Sequence, residues 1–268
     1  MYKLLLVTTR EDVRAAFAGV PELHRLMFEP VAFRDTPQEA LSFLSHTGAD
    51  AVGIDLDGAE YRELAEALDA RHPFLPVFRT YKRGDELRAE LSRVREYLDV
   101  LRGDYSDYDS DEEMTVTRLR NEILHRLLEE RVQTEDELAG RLLLARSPLK
   151  PEYPAFLFEF ELPEGARYLE NRWHHGFDRL DLALRANFFG RILEPMVIGA
   201  ALISADRLRV VACATEPLDE RKVDLLSAMV QEQVLATANR VKSYMDLELV
   251  CTSFRVLDRL GGLASPQT

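Results

Sequence analysis

No stretch of this 268-residue chain approaches the roughly 20 consecutive apolar residues that a membrane span requires. The apolar part of the N-terminus, Met1 to Val7, is too short for a secretory signal and reads as a first strand. Cysteine is scarce. Cys213 and Cys251 both lie in apolar strand-like runs, so a disulfide framework is excluded and buried reduced thiols in a cytoplasmic protein are expected; a two-cysteine redox switch is the alternative. Basic residues are in deficit, with 34 Lys and Arg against 47 Asp and Glu and a formal charge of −13. Without a basic cluster or a basic recognition helix, this chain is not expected to neutralise nucleic-acid phosphates itself. A glycine-rich phosphate loop, His-Glu-x-x-His and Gly-x-Ser-x-Gly are all missing, which removes the usual signatures of NTPases, zinc proteases and serine hydrolases.

What is present is the composition of a folded chain, with 46% apolar and 30% charged residues and enough length for two domains. The first hundred residues alternate strand and helix. An apolar strand at Tyr2 to Val7 precedes a helix from about Arg10 to Gly19. A second apolar stretch at Met27 to Phe33 precedes a helix from Pro37 to Ser45. A third strand, Asp50 to Asp55, ends on a carboxylate, and Ala59 to Arg71 carries Leu64, Ala67 and Leu68 at helical spacing. His72-Pro73 ends that helix, since a residue before proline disfavours the helical region. Leu75 to Thr80 reads as a fourth strand, Gly84 to Arg95 as a helix, and Glu96 to Leu101 as a weak fifth strand. This alternation predicts a doubly wound parallel sheet covered on both faces.

Gly103 to Glu113 is acidic, aperiodic and free of basic residues, and it reads as a solvated boundary. Asp107, Asp109 and Asp111 alternate as in a calcium loop, but the required glycine and glutamate positions hold Glu112 and Arg118, so the motif fails. From Met114 the period is helical, with Val116, Leu119, Ile123, Leu127 and Leu128 on one face. Thr134 to Glu137 forms a capping box for a second helix, the two meeting near Val132. The remainder reads β-α-β-β-α-β: a strand at Pro154 to Glu161, a helix at Arg167 to Phe189, a hairpin from Met196 to Ala214 turning at Asp206-Arg207, a helix at Asp219 to Tyr244, and a last strand at Leu247 to Phe254. That order is a split βαβ arrangement of the ferredoxin-like kind. Trp173-His174-His175-Gly176 is the one polar-aromatic cluster; it is read as helix packing by Trp173 with exposed histidines. His24, His46, His72 and His125 show no recognisable partner in the sequence.

Residues 1–103 resemble the receiver domain of response regulators. That resemblance implies an acidic pair holding Mg²⁺ after the first strand, an aspartate accepting phosphoryl after the third, then a Thr or Ser and a Lys. Here the pair falls on Thr8 and Thr9, or on Arg10 and Glu11 with a slip of register. Asp55 matches the acceptor, with Asp57 close by; Thr80 matches the hydroxyl; the lysine position falls near Val100. Residues 151–268 resemble a degenerate GGDEF-type domain of the nucleotide-cyclase group. The turn that would carry its metal and catalytic acids reads Ser204-Ala205-Asp206-Arg207-Leu208, and Glu159 or Glu161 on the preceding strand stands where a metal ligand would be sought.

The order of parts resembles AraC-type (YesN-like) response regulators, with the chain reaching Leu263 to Thr268 where a DNA-binding module is expected to begin. The expectation is an α/β chain: a CheY-like pseudo-receiver over 1–103, an acidic boundary and helical linker over 104–150, and an α+β ferredoxin-like domain over 151–268. It is expected to be a cytoplasmic, non-enzymatic regulator without cofactor or metal. Expected partners are a second copy of the chain, a sensor kinase or small ligand, and DNA only through a further module. The alternatives are a divergent phosphoryl-accepting receiver, a nucleotide-binding cyclase-like enzyme, and a dimeric interaction protein.

Overall fold

The apolar run of residues 4–8 is buried along its whole length, and a strand buried on both faces belongs in the middle of a parallel sheet. In the computed structural model that is where it lies. The structure describes residues 1–20, 23–80, 83–104, 112–189 and 194–264. The expected calcium-loop acids Asp107, Asp109 and Asp111, most of the acidic boundary, and the last four residues lie outside them. The chain forms two compact units, Met1–Arg120 with Gly140–Ser147, and Asn121–Ala139 with Pro148–Thr268.

The first unit begins β1 (Leu4–Thr8), α1 (Glu11–Ala18), β2 (Ala32–Arg34), α2 (Pro37–His46), β3 (Ala51–Asp55), α3 (Gly58–Arg71), β4 (Val77–Phe78) and α4 (Asp85–Asp104). The four strands form one parallel sheet in the order β2-β1-β3-β4. Leu5, Val7 and Val52 pack on one side with Ala40 and Leu44 of α2 and Leu64 and Leu68 of α3. α2 starts where the sequence marks it: the Thr36 hydroxyl accepts from the Glu39 amide at 3.3 Å, and Pro37 takes the first turn. β2 is shorter than the apolar stretch from Met27 suggests, because Met27 adopts a left-handed φ of 66° and Pro30 cannot donate to a ladder.

The weak fifth strand expected at 96–101 is instead the last part of α4. Leu87, Leu91, Val94 and Leu98 are buried at helical intervals, so one continuous apolar stripe carries the helix through that segment. Val100, expected near the lysine position, is an exposed residue of this helix.

Two helices follow, α5 (Glu112–Leu128) and α6 (Glu135–Leu144). The Thr134 hydroxyl accepts from the Glu137 amide at 3.1 Å, as a capping box requires, while Glu137 reaches back to the Gln133 amide. One unit border falls inside each of these helices and a third follows Ser147, so the stretch expected as a linker is divided between the two units.

The second unit continues with β5 (Ala155–Glu161), α7 (Gly165–Asn171), α8 (Phe177–Phe188), β6 (Met196–Ser204), β7 (Arg207–Ala214), α9 (Glu220–Met245) and β8 (Val250–Leu257), then a short 3₁₀ turn at Leu260–Ala264. Its four strands form an antiparallel sheet in the order β6-β7-β5-β8. Phe156, Phe158 and Phe160 point from β5 to a core completed by Leu180 and Leu184 of α8 and Val230 and Val234 of α9. The helix expected over 167–189 is two helices. Gly176, at φ +83°, breaks it, and its carbonyl accepts from the Trp173 indole at 3.0 Å. His174 and His175 therefore sit in a turn, with the Trp173 ring against Tyr168. Cys213 is buried as expected; Cys251 is only partly covered. Among the described residues no helix is long and apolar enough to cross a membrane.

Candidate functional site

Parallel pairing of β1 with β3 sets Thr8 directly beside Asp55, at the carboxyl ends of the strands where open α/β sheets place their sites. The Thr8 hydroxyl, fully buried, donates to Asp55 Oδ2 at 2.6 Å and itself accepts from the Arg10 amide at 3.0 Å. The Arg10 guanidinium stands 3.5 Å from Asp55 Oδ1. Both carboxylate oxygens are thus engaged by the chain's own groups, and the Asp55 side chain keeps 11% exposure. Arg10 also makes two hydrogen bonds to Asp12, at 3.2 and 3.0 Å, and Asp12 pairs with Arg83 as well. Those bonds from Arg10 hold the Asp12 carboxyl below its usual range. The Asp12 bonds, and then the field of Asp55, keep the guanidinium more firmly protonated.

Thr80 is buried near the same end of the sheet, but its hydroxyl donates to the Ile54 carbonyl at 3.3 Å. Gly53 makes room for it: a Cβ there would lie 2.7 Å from both Thr80 Cγ2 and Leu6 Cδ1. Asp57 is the residue before α3 and makes no side-chain capping bond to it; the first residue of α3, Gly58, has φ +56°.

Mg²⁺ needs several hard oxygen ligands around an open coordination sphere. Here Asp55 is the acid at the strand end, threonines replace the pair, and a guanidinium occupies the neighbourhood a cation would need. The residues do not fit the metal that the receiver resemblance implies. Across the described residues, no three His, Cys, Asp or Glu side chains are grouped to hold a metal ion.

In the second unit the expected turn joins β6 to β7. Ser204 donates to Asp206 Oδ1, and that bond before any other cause holds the Asp206 carboxyl below its usual range. The Asp206 carbonyl accepts from the Leu162 amide at 2.8 Å, and Gly165 lies so close to the Ala205 carbonyl that a Cβ there would collide with it. The turn and the start of α7 are therefore in direct backbone contact. Arg207 projects toward Glu159 at 3.7 Å, while Leu208 is buried in the core. Arg209 and Arg255 flank the same carboxylate at 3.5 and 3.8 Å. Three guanidiniums around Glu159 exclude it as a metal ligand, and Glu161 is exposed at the strand end.

His125, expected to lack a partner, has several. Its Nε2 lies 3.1 Å from Asp181 Oδ2 on α8, and its Nδ1 lies 3.4 Å from Glu129 and 4.0 Å from Glu122. Arg185 closes the cluster on Asp181 and Glu122. Asp181 Oδ1 accepts from the Leu202 amide at 2.8 Å, which occupies a ladder donor on β6, an outer strand of the sheet. Burial opposes ionisation of Asp181, but the His125 contact, the Leu202 amide and Arg185 together keep its carboxyl below the usual range. The i, i+4 spacings of His125 with Glu129 and Asp181 with Arg185 are visible in the sequence; their meeting across two helices is not.

A scan against protein-family models and a search of curated proteins find no match to this chain.

Proposed function

We propose that this chain is a non-enzymatic signalling regulator in which a receiver-like unit and a ferredoxin-like, GGDEF-type unit serve as folded modules rather than as catalysts. The observation that carries the reading is the engagement of Asp55 by Thr8 and Arg10. A guanidinium supplies the positive charge that a metal would bring, but it leaves no coordination site for phosphoryl oxygens. The strand order β2-β1-β3-β4 with Asp55 at the end of β3 supports the receiver-type reading, and the order β6-β7-β5-β8 supports the second. The arginine-enclosed Glu159 argues against metal-dependent nucleotide turnover. Regulation then acts through a shift between two states biased by a partner or small ligand with unequal affinity for them. Output to DNA, in the AraC-type arrangement, passes through a further module.

The test is the intact mass of the full chain after incubation with Mg²⁺ and acetyl phosphate, beside Asp55→Asn. The expected result is no added phosphoryl group on either protein. Addition to the wild type alone makes Asp55 a working acceptor and overturns the reading.

A further inference from the structure

On the sheet face opposite its phenylalanine core, the second unit holds a cavity of about 290 Å³. Leu127, Val132, Leu157 and Leu263 line its apolar part, and Arg209 and Arg255 bring guanidiniums to its wall. We propose that this cavity binds a small organic monocarboxylate, an acid group carried on a compact apolar body.

Three observations carry this. Arg255, on β8, has an ion pair to Glu159 at 3.8 Å, beyond hydrogen-bonding distance, so among the described residues its fork of donors is unused and can take a bidentate carboxylate. Arg209 is fixed in place by bonds from Nη1 to the Leu128 carbonyl and to Glu130, at 3.1 and 2.7 Å, while its Nε faces Glu159 at 3.5 Å. Among the charged residues that line the cavity, Arg209 and Arg255 exceed Glu130 by one, which suits a single negative charge rather than a phosphate dianion. The volume lies at the lower end of the roughly 300–1,000 Å³ typical of small-molecule sites, and the leucine and valine walls favour an aliphatic or phenyl body. This inference is independent of the state of Asp55, so its failure and that of the regulator reading are separately visible.

The test is isothermal titration calorimetry of the full chain at low ionic strength with hexanoate and phenylacetate, and with hexanamide as the uncharged counterpart of hexanoate. At least one acid is expected to bind saturably at one site per chain. Hexanamide should bind at least tenfold more weakly than hexanoate. Arg255→Gln, shown folded by its thermal melt, should weaken the acid at least tenfold, whereas Arg221→Gln on the exposed surface of α9 should leave it unchanged. Absence of saturable binding by both acids overturns the proposal. So does equal binding of hexanoate and hexanamide, or undiminished binding by Arg255→Gln.

Discussion

At Asp55 a carboxylate at a strand end is held by two neighbours. Thr8 is fully buried and its hydroxyl is committed to that carboxylate, so Thr8→Val keeps the shape and removes the donor. The loss should cost about 1–3 kcal/mol, the usual range when a hydrogen bond to a charged group is removed. Urea denaturation of Thr8→Val, Asp55→Asn and the double variant would measure it, with a smaller loss in the double variant than the two singles predict. Tyr97 belongs to the same scale. Burial pushes its phenol up to about 12, and Tyr2, partly buried and bonded to Asp99 at 2.6 Å, rises to about 12 as well. A raised folded-state value means the stabilisation is complete below the unfolded value of about 10 and is lost as pH rises toward 12. Tyrosinate absorbance should therefore lag behind that of an unfolded control in alkaline titration, and the first unit should lose stability across that interval.

At the scale of elements, the decisive contact is the one tying α5 to α8 and the β6 edge through His125 and Asp181. An outer strand with free amides invites pairing with another chain, and Asp181 blocks that at Leu202. His125→Leu would leave Asp181 and Glu129, 11% and 19% exposed, facing an apolar side chain. Removing one partner from such a cluster should destabilise the second unit by about 2–4 kcal/mol, somewhat below the cost for a fully enclosed pair. Fluorescence of Trp173, the single tryptophan, would follow the loss in that unit. Because the folded-state value of Asp181 is depressed, its contribution is present above the unfolded value and is lost as pH falls through the folded one. Asp181→Asn keeps the bond from the Leu202 amide but should flatten the acid limb of a stability–pH curve measured by the same fluorescence.

At the scale of the whole molecule, the chain passes between the units inside α5, inside α6 and again after Ser147. Residues 121–139 complete the second unit: a Cβ at Gly199 of β6 would meet Leu124 of α5 at 2.9 Å, and Leu127 and Leu128 line the cavity beneath the sheet. A fragment of residues 151–268, cut where sequence texture places the boundary, lacks that cover. It should bind an apolar dye and melt without cooperativity, whereas a fragment of residues 121–268 should melt cooperatively; scanning calorimetry of both would decide it.

Local periodicity and capping were legible from residues alone. The order of the first four strands and their helices, the Thr134 cap and the place of Asp55 at a strand end all follow from spacings of a few residues, and the β6–β7 turn, expected at Asp206-Arg207, lies one residue earlier because Arg207 already belongs to β7. The 96–101 segment misled because a short apolar run suits a strand or a buried helix equally, and only the packed stripe through Leu98 decides between them. What Asp55 touches was not legible. Its Thr8 partner is 47 positions away, and strand register, not sequence proximity, brings the two together. The same holds for His125 with Asp181 and for the arginines around Glu159. By itself the sequence determined most of the elements, the strand reading of 96–101 and the single helix over 167–189 excepted, and which chemical groups they carry. Tertiary structure alone decided which of those groups meet, because each ion pair depends on the relative placement of elements distant in the chain, which no local pattern records.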